Sequence, residues 1–133
     1  MARTVREPLS KCVSLLIVDD SVMMRAMIKR AANLSNVPLG AIYEASNGAE
    51  ALRVLEANHV DAVFTDVNMP VMTGIELLQA IEREARWPDL LKVIISTDGS
   101  TAHHEEATRL GARAYVEKPF KPEAIRAVLT SLL

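Results

Sequence analysis

VSLLIVDDSVMMRAMIKRAANL, the stretch Val13–Leu34, reads as a buried strand that runs directly into an amphipathic helix. Its first six residues, Val13–Val18, form a short and almost continuous apolar run, which is typical of a strand buried on both faces. A helix is predicted from Ser21 onward, with apolar side chains at helical spacing: Met24, Met27, Ile28 and Ala31. Ser21 or Asp20 is the predicted N-cap, because a short side-chain oxygen there accepts a backbone N–H bond. A strand followed at once by a helix is the repeating unit of α/β folds.

The same strand–helix unit recurs four more times along the chain. Further strands are predicted at Ala41–Ala45, Val60–Thr65, Leu91–Ile95 and Ala112–Val116. The matching helices are predicted from Asn47 to Asn58, from Thr73 or Gly74 onward, at Ala102–Leu110, and from Pro122 with the apolar stripe Ile125, Val128, Leu129 and Leu132. Strict alternation of five such pairs predicts one α/β domain, in which helices cover both faces of a parallel sheet.

The composition fits a single soluble domain. The chain has 133 residues, of which 50% are hydrophobic and 24% charged, and its formal net charge is -2. Because there is no basic cluster, nothing points to nucleic acid or to an anionic membrane. No apolar run approaches the roughly 20 residues of a membrane span, and the polar segment Met1–Lys11 lacks the apolar centre of a signal peptide. Cys12 is the single cysteine, so no internal disulfide is possible and a cytoplasmic protein is expected.

Polar side chains follow four of the five predicted strands. In doubly wound sheets the ligand crevice lies at the carboxyl ends of the strands. The residues at those ends are Asp19 and Asp20 after the first strand, Asp66 after the third, Ser96, Thr97 and Asp98 at the fourth, and Glu117, Lys118 and Pro119 after the fifth. The carboxylates of Asp19, Asp20 and Asp66, a hydroxyl from the fourth strand end and the ammonium group of Lys118 are therefore predicted to converge at one edge of the sheet.

This set of groups matches the chemistry of phosphoryl transfer. Three clustered carboxylates repel one another and need a cation to stay ionised, and oxygen ligands on a few loops suit Mg²⁺. A carboxylate can also attack phosphorus and form an aspartyl phosphate, and this transfer mostly needs positioning and charge stabilisation. Each motif alone has an ordinary explanation, such as a turn, a helix cap or a solvated loop. Their joint placement at four strand ends favours a site that takes a phosphoryl group.

Four motifs, LLIVDDS, FTDVNMPVMTG, VIIST and AYVEKPF, resemble those of the receiver domains of two-component response regulators. The likeness runs from about Val13 to Leu133, which leaves residues 1–12 as an N-terminal extension and 13–133 as the receiver domain. It implies a flavodoxin-like, doubly wound sheet of five parallel strands in the order 2-1-3-4-5, with five helices on its two faces. It also implies a stand-alone switch of the chemotaxis type. Its partners would be a sensor histidine kinase and an effector such as a flagellar switch or a phosphotransfer protein.

The resemblance implies a role for five of the residues at the predicted site. Asp66 corresponds to the phosphoacceptor and to one of the metal ligands. Lys118 corresponds to the lysine that pairs with the phosphoryl group. Asp20 corresponds to the principal acidic Mg²⁺ ligand, and Asp19 to its partner, which acts largely through water. Asn68 corresponds to the position whose backbone carbonyl binds the metal.

Two further residues correspond to the signalling switch of this family. Ser96 corresponds to the switch hydroxyl and Tyr115 to the switch aromatic, which is expected to turn inward from an exposed position when Asp66 is phosphorylated. Ser96 is preferred to Thr97 because neighbouring strand residues point to opposite faces, and the spacing back from Lys118 favours Ser96. The expected output surface consists of the fourth helix, the fifth strand and the fifth helix. The resemblance also implies a cis peptide bond between Lys118 and its following proline.

Other functions of the same fold were weighed against this one. A phosphorelay intermediate, which passes its phosphoryl group to a histidine phosphotransfer protein, remains open beside motor control. An aspartate-nucleophile phosphatase usually needs a second Asp two residues after the nucleophile, where this chain has Asn68, which cannot act as a general acid or base. A flavin-binding module is disfavoured because the loop Asp19–Ser21 is acidic and lacks glycine. No enzyme activity is expected beyond the chain's own phosphorylation and autodephosphorylation.

Overall fold

The computed structural model describes residues 12–131. Its strands are β1 (Val13–Val18), β2 (Leu39–Ala45), β3 (Ala62–Thr65), β4 (Leu91–Ser96) and β5 (Ala112–Glu117). Its helices are α1 (Val22–Asn33), α2 (Gly48–Ala57), α3 (Gly74–Glu84), α4 (Thr101–Arg109) and α5 (Pro122–Thr130). Strands and helices alternate in the predicted order. The polar segment at residues 1–11 and Leu132 of the last apolar stripe lie outside the described residues.

The five strands form one parallel sheet in the order β2-β1-β3-β4-β5. This is the order 2-1-3-4-5 that the family resemblance implied. β1 lies between β2 and β3, so that Val18 pairs with Ala45 on one side and with Thr65 on the other. The residues that follow β1 and β3 therefore leave the sheet side by side at its carboxyl edge.

Two apolar layers cover the sheet, one on each face. Alternate residues of β1 enter different layers, because successive strand side chains point in opposite directions. Leu15 and Ile17 pack with residues of α1 and α5, whereas Leu16 and Val18 pack with residues of α2, α3 and α4. β1 is thus buried on both faces, as its continuous apolar sequence predicted. No helix within residues 12–131 has the length and apolar character needed to cross a bilayer.

Side-chain caps define where the helices begin. Ser21, not Asp20, caps α1 and accepts a bond from the Met24 amide at 3.1 Å. Asn47 caps α2, as predicted. Thr73 caps α3 in a capping box with Glu76, which ends the loop after β3 at a defined point. Because Ser21 takes the cap, the side chain of Asp20 remains available at the edge of the sheet.

Two strand boundaries differ from the prediction by two residues. β2 begins at Leu39 instead of Ala41 and therefore includes Gly40. A Cβ at this glycine would lie 2.8 Å from the Ser14 hydroxyl oxygen, so a larger residue there would have to displace that side chain where β2 approaches β1. β3 begins two residues late, at Ala62, and the carboxylate of the preceding Asp61 accepts the Ser14 amide of β1 at 2.8 Å.

Candidate functional site

Three carboxylates gather at the carboxyl edge of the sheet. Asp19 and Asp20 follow β1, Asp66 follows β3, and one oxygen from each lies within 4.8 Å of the other two. We refer to these three residues as the acidic cluster. Asp19 is buried, Asp66 is half-buried and Asp20 is exposed. The adjacency of β1 and β3 in the sheet brings the cluster together, as predicted from the strand ends.

Lys118 places a positive charge against the acidic cluster. It follows β5, two strands away from β3, and its Nζ lies 2.7 Å from Asp19 Oδ2 and 3.1 Å from Asp66 Oδ2. Burial by itself would lower the pKa of Lys118, but its hydrogen bonds and charge interactions with Asp19 and Asp66 outweigh this, so the pKa is raised. The ammonium group is therefore charged at neutral pH. The Lys118–Pro119 peptide bond is cis, as the resemblance implied.

The carboxylate of Asp66 is held in a defined orientation. Its Oδ1 accepts the Val67 amide at 2.7 Å, and its Oδ2 accepts the Lys118 ammonium at 3.1 Å. Its own amide donates to the Val18 carbonyl at 3.0 Å, which continues the ladder from β1. Gly74 packs directly against this backbone, and a Cβ there would lie 1.9 Å from the Asp66 carbonyl oxygen. The position of Asp66 is thus set by contacts on both its side chain and its main chain.

The charge and the ligand type of the acidic cluster suit a divalent cation. Three carboxylates and one ammonium group leave two formal negative charges. Among the described residues, the Asp20 carboxylate has no hydrogen-bond or ion-pair partner. Exposed Asn68 lies in the loop after Asp66, between two buried neighbours. Hard oxygen donors with excess negative charge are the ligands that Mg²⁺ prefers, so the donor set fits that ion.

Ser96 and Thr97 lie at the end of β4 with opposite exposure. Ser96 is fully buried and pairs with Glu117 of β5, and its carbonyl accepts the Lys118 amide at 2.9 Å. Its hydroxyl oxygen accepts the Asp98 amide at 3.1 Å. Thr97 is exposed. The predicted alternation therefore places the Ser96 side chain, and not that of Thr97, in the interior beside β5.

Tyr115 does not occupy the exposed position from which we expected it to move. It is half-buried, and its hydroxyl donates to the backbone carbonyl of Asp98. Burial and then the charge of Asp98 raise the pKa of Tyr115, while the Ser96 hydroxyl acts in the opposite direction. The phenol therefore remains protonated and able to donate at neutral pH. The expected exposed start is wrong because the loop after β4 presents a carbonyl that the phenol can reach.

Asp98 connects this loop to α4 through its side chain. Its carboxylate accepts the Ser100 amide at 2.9 Å and is hydrogen-bonded to the His103 ring. The Ser100 amide, followed by His103, lowers the pKa of Asp98. His104, on the next position of α4, meets the Tyr115 ring edge-on at a centroid distance of 4.6 Å. One residue thus joins the buried Ser96 hydroxyl, the Tyr115 phenol and the start of α4.

The sequence reasoning missed two residues beside the site. His104 contacts Tyr115, and its position on α4, the helix before β5, gave no local signal of this. Arg25 donates to the Asp19 carbonyl at 2.6 Å and to Glu44 at 2.9 Å. Helical spacing places Arg25 one turn after the Ser21 cap, close to the acidic loop, but its second partner lies on β2 and can be found only with the strand order.

Comparison with known proteins agrees with this geometry. A family model described as "Response regulator receiver domain" matches residues 15–130. The chain is 34% identical over 122 residues to a chemotaxis protein CheY homolog of Campylobacter jejuni, covering 91% of this chain and 92% of that protein. It is 34% identical over 122 residues to the chemotaxis protein CheY1 of Helicobacter pylori, covering 91% and 97%. The structure of the Vibrio cholerae chemotaxis protein CheY4 matches with a TM-score of 0.81 at 29% identity, covering 92% and 100%. The chain therefore belongs to the family of response regulator receiver domains and is a CheY-like member of it.

Proposed function

We propose that this receiver domain, residues 13–133, is a signalling switch that accepts a phosphoryl group on Asp66 from a sensor histidine kinase. The observation that carries the proposal is the buried ammonium of Lys118, which bridges Asp19 and Asp66 within the acidic cluster. A lysine placed only to neutralise one carboxylate would need one partner. A lysine that bridges both can keep its bond to Asp66 while that residue gains a phosphoryl group.

The transfer itself requires a carboxylate that is already oriented. A bond forms between phosphorus and a carboxylate oxygen of Asp66, and the bond between phosphorus and the donor imidazole nitrogen breaks, with the electron pair remaining on that nitrogen. The amide of Val67 holds one carboxylate oxygen of Asp66, and Lys118 holds the other. Lys118 stabilises negative charge on the transferring oxygens because it stays protonated. Pre-organisation of this kind is the main requirement of phosphoryl transfer.

Asp19, Asp20 and Asp66, with the backbone carbonyl of Asn68, would hold Mg²⁺ at this site. The bound ion would neutralise negative charge on the phosphoryl oxygens and on the carboxylates around them. Asp20 is exposed and has no other partner among the described residues. We therefore assign it the largest share of the affinity.

The site lies next to an apolar surface that suits a protein donor. Val22, Met23 and Met27 on α1 expose 70%, 74% and 50% of their surface, and Val71 in the loop after β3 exposes 81%. The loop that contains Val71 follows Asp66 directly, and α1 begins two residues after Asp20. Exposed methionines are common at binding surfaces that adapt to a partner. This surface supports a histidine kinase, and not only a small phosphodonor, as the source of the phosphoryl group.

The signal would leave the site through Ser96 and the α4–β5–α5 face. A phosphoryl group on Asp66 adds charge and acceptor oxygens, and Ser96 is the buried hydroxyl at the neighbouring strand end. When the Ser96 hydroxyl turns to a phosphoryl oxygen, it releases the Asp98 amide that it now accepts. Asp98 binds both Tyr115 and the start of α4, so its movement alters this face. The names of the relatives as chemotaxis proteins support a flagellar switch as the effector.

The direct test is covalent labelling of Asp66. Incubation with a small acyl phosphate and Mg²⁺ should add the mass of one phosphoryl group, detected by intact mass spectrometry. Asp66→Asn should abolish most of the labelling. Asp89→Asn is the matched control, since it removes the same charge from an exposed position in the connection after α3. Unchanged labelling of the Asp66 variant would rule out this phosphoacceptor.

The alternative output is a relay, and one experiment separates it from a terminal switch. The phosphorylated chain is mixed with a histidine phosphotransfer domain, and the radiolabel is followed by gel electrophoresis. Fast movement of the label to the histidine would identify a relay. Release of the label as inorganic phosphate only, with binding to a flagellar switch peptide, would support the terminal switch.

A further inference from the structure

Arg25 links three elements around the acidic cluster. Its side chain extends from α1, where its Nη1 donates to the Asp19 carbonyl at 2.6 Å and its Nε donates to Glu44 of β2 at 2.9 Å. The side chain is only 14% exposed. A guanidinium group is a rigid planar fork, so two simultaneous bonds fix its direction as well as its position. Arg25 therefore acts as a brace between β2 and the loop after β1.

This brace acts on the main chain of the metal-binding loop. Asp19 is held at its amide by the Ala45 carbonyl at 3.1 Å and at its carboxylate by the Ser21 amide at 2.9 Å. Arg25 holds the carbonyl of the same residue. Because the peptide unit is planar, this carbonyl fixes the direction in which the chain continues to Asp20. Asp20 has no side-chain partner within the described residues, so its location depends on that main chain.

We propose that Arg25 and Glu44 are positioning residues for the divalent-cation site, because they set where Asp20 stands relative to Asp19 and Asp66. The proposal rests on the proposed function, since it assumes that Asp20 binds Mg²⁺. Neither residue touches the cation or the phosphoryl group. Their effect appears as cation affinity, and not as a change in the chemical step.

Glu44 has a second task, which is electrostatic. The Arg25 guanidinium lies at the border of the acidic cluster and carries a positive charge that would compete with a cation. Glu44 neutralises it at 2.9 Å, and Lys29 lies 3.7 Å from the other oxygen of Glu44. Without Glu44, the guanidinium loses its second anchor and is free to turn toward the cluster. Removal of either member of the pair therefore weakens cation binding, for two different reasons.

The test is a Mg²⁺ titration followed by calorimetry at a temperature where every variant is folded. Arg25→Met keeps the apolar stem of the side chain and removes both bonds. We expect its Mg²⁺ affinity to fall about tenfold, which is the lower end of the loss seen when residues that orient metal ligands are removed. Arg25→Lys can reach one partner but not both, so it should restore only part of the affinity. Glu44→Gln keeps an oxygen that can accept from Arg25 but removes the charge that neutralises the guanidinium, so it should also weaken binding.

Lys29→Met is the matched control. It removes one positive charge from the same helix and a contact to the same glutamate, but it does not touch Asp19. Its Mg²⁺ affinity should stay within about twofold of wild type. The amide resonances of Asp20 and Ser21, measured without metal, should shift in the Arg25 variants and not in the control. A purely structural role would lower the melting temperature and leave both of these readouts unchanged.

Two outcomes would overturn the positioning role, and they differ from a failure of the proposed function. Wild-type Mg²⁺ affinity in folded Arg25→Met and Glu44→Gln, while Asp20→Asn loses binding, would reject the brace alone. Wild-type affinity in Asp20→Asn as well would reject the cation site on which the brace is built. If Arg25→Met does not fold, the Arg25→Lys and Glu44→Gln titrations decide the question in the same way.

Discussion

Asp20→Asn should make the metal-free protein more stable and the Mg²⁺-bound protein less stable than wild type. The substitution keeps the size of the side chain and removes one charge of the acidic cluster. At the 4.8 Å that bounds the separations of the three oxygens, two carboxylates repel by about 1 kcal/mol in water and by about 3.5 kcal/mol at an effective dielectric constant of 20. Asp20 is exposed, so the lower value applies to each of its two pairs. Lost attraction to Lys118 offsets part of this, which leaves a gain of about 1 kcal/mol in the free energy of unfolding.

Mg²⁺ should reverse this order of stability. A ligand that binds only the folded state stabilises it by about 2.7 kcal/mol at a concentration one hundred times its dissociation constant. Mg²⁺ depends on few carboxylates, so loss of Asp20 removes most of the stabilisation that the bound ion gives to the folded state. A difference of 1 kcal/mol corresponds to about 3–5 °C in melting temperature for a domain of this size. The variant should thus melt a few degrees above wild type in EDTA and below it in saturating Mg²⁺.

The measurement is thermal unfolding by circular dichroism at low ionic strength, with EDTA or with Mg²⁺. Asp89→Asn is the control, because it removes an exposed carboxylate far along the chain from the cluster. Added salt should shrink the gain seen in EDTA, since screening weakens the repulsion. Two results would refute the reasoning: a variant that melts below wild type in EDTA, or one that Mg²⁺ stabilises as strongly as wild type.

Three other substitutions test the signalling path, the docking surface and the packing behind Asp66. Ser96→Ala should still accept a phosphoryl group on Asp66 but should pass the conformational change poorly to the α4–β5–α5 face. A phosphoryl mimic should therefore cause smaller NMR shifts on that face than in wild type, and equal shifts would reject Ser96 as the group that couples the two. The double variant Met23→Asp, Met27→Asp should slow phosphoryl transfer from a histidine kinase about tenfold, because it removes an apolar contact with the kinase. Labelling by acyl phosphate should stay normal, and equal slowing with both donors would count against a docking surface. Gly74→Ala places a Cβ 1.9 Å from the Asp66 carbonyl oxygen, so urea unfolding should show a loss of about 2 kcal/mol or more, and wild-type stability would contradict this contact.

The element order and the residues at the site were open to prediction from the sequence. The apolar run of β1 indicated burial on both faces. Alternation at the end of β4 indicated that only one of Ser96 and Thr97 faces the site, and the spacing back from Lys118 favoured Ser96, which is the buried one of the two. Short-range patterns record such features because backbone geometry repeats every two residues in a strand and every 3.6 in a helix. The placement of Asp20 and Asp66 at strand ends needed only the rule that parallel strands share one carboxyl edge.

The partners of those residues were decided by the tertiary structure. Lys118 contacts Asp19 across 99 positions of the chain, and Arg25 reaches Glu44 only because β2 lies beside β1 in the sheet. The half-buried position of Tyr115 depends on a carbonyl that the loop after β4 presents. Periodicity reports which side of an element is buried, but it carries no information about which distant group faces it. That choice depends on the strand order and on loop conformation, which only the folded chain determines.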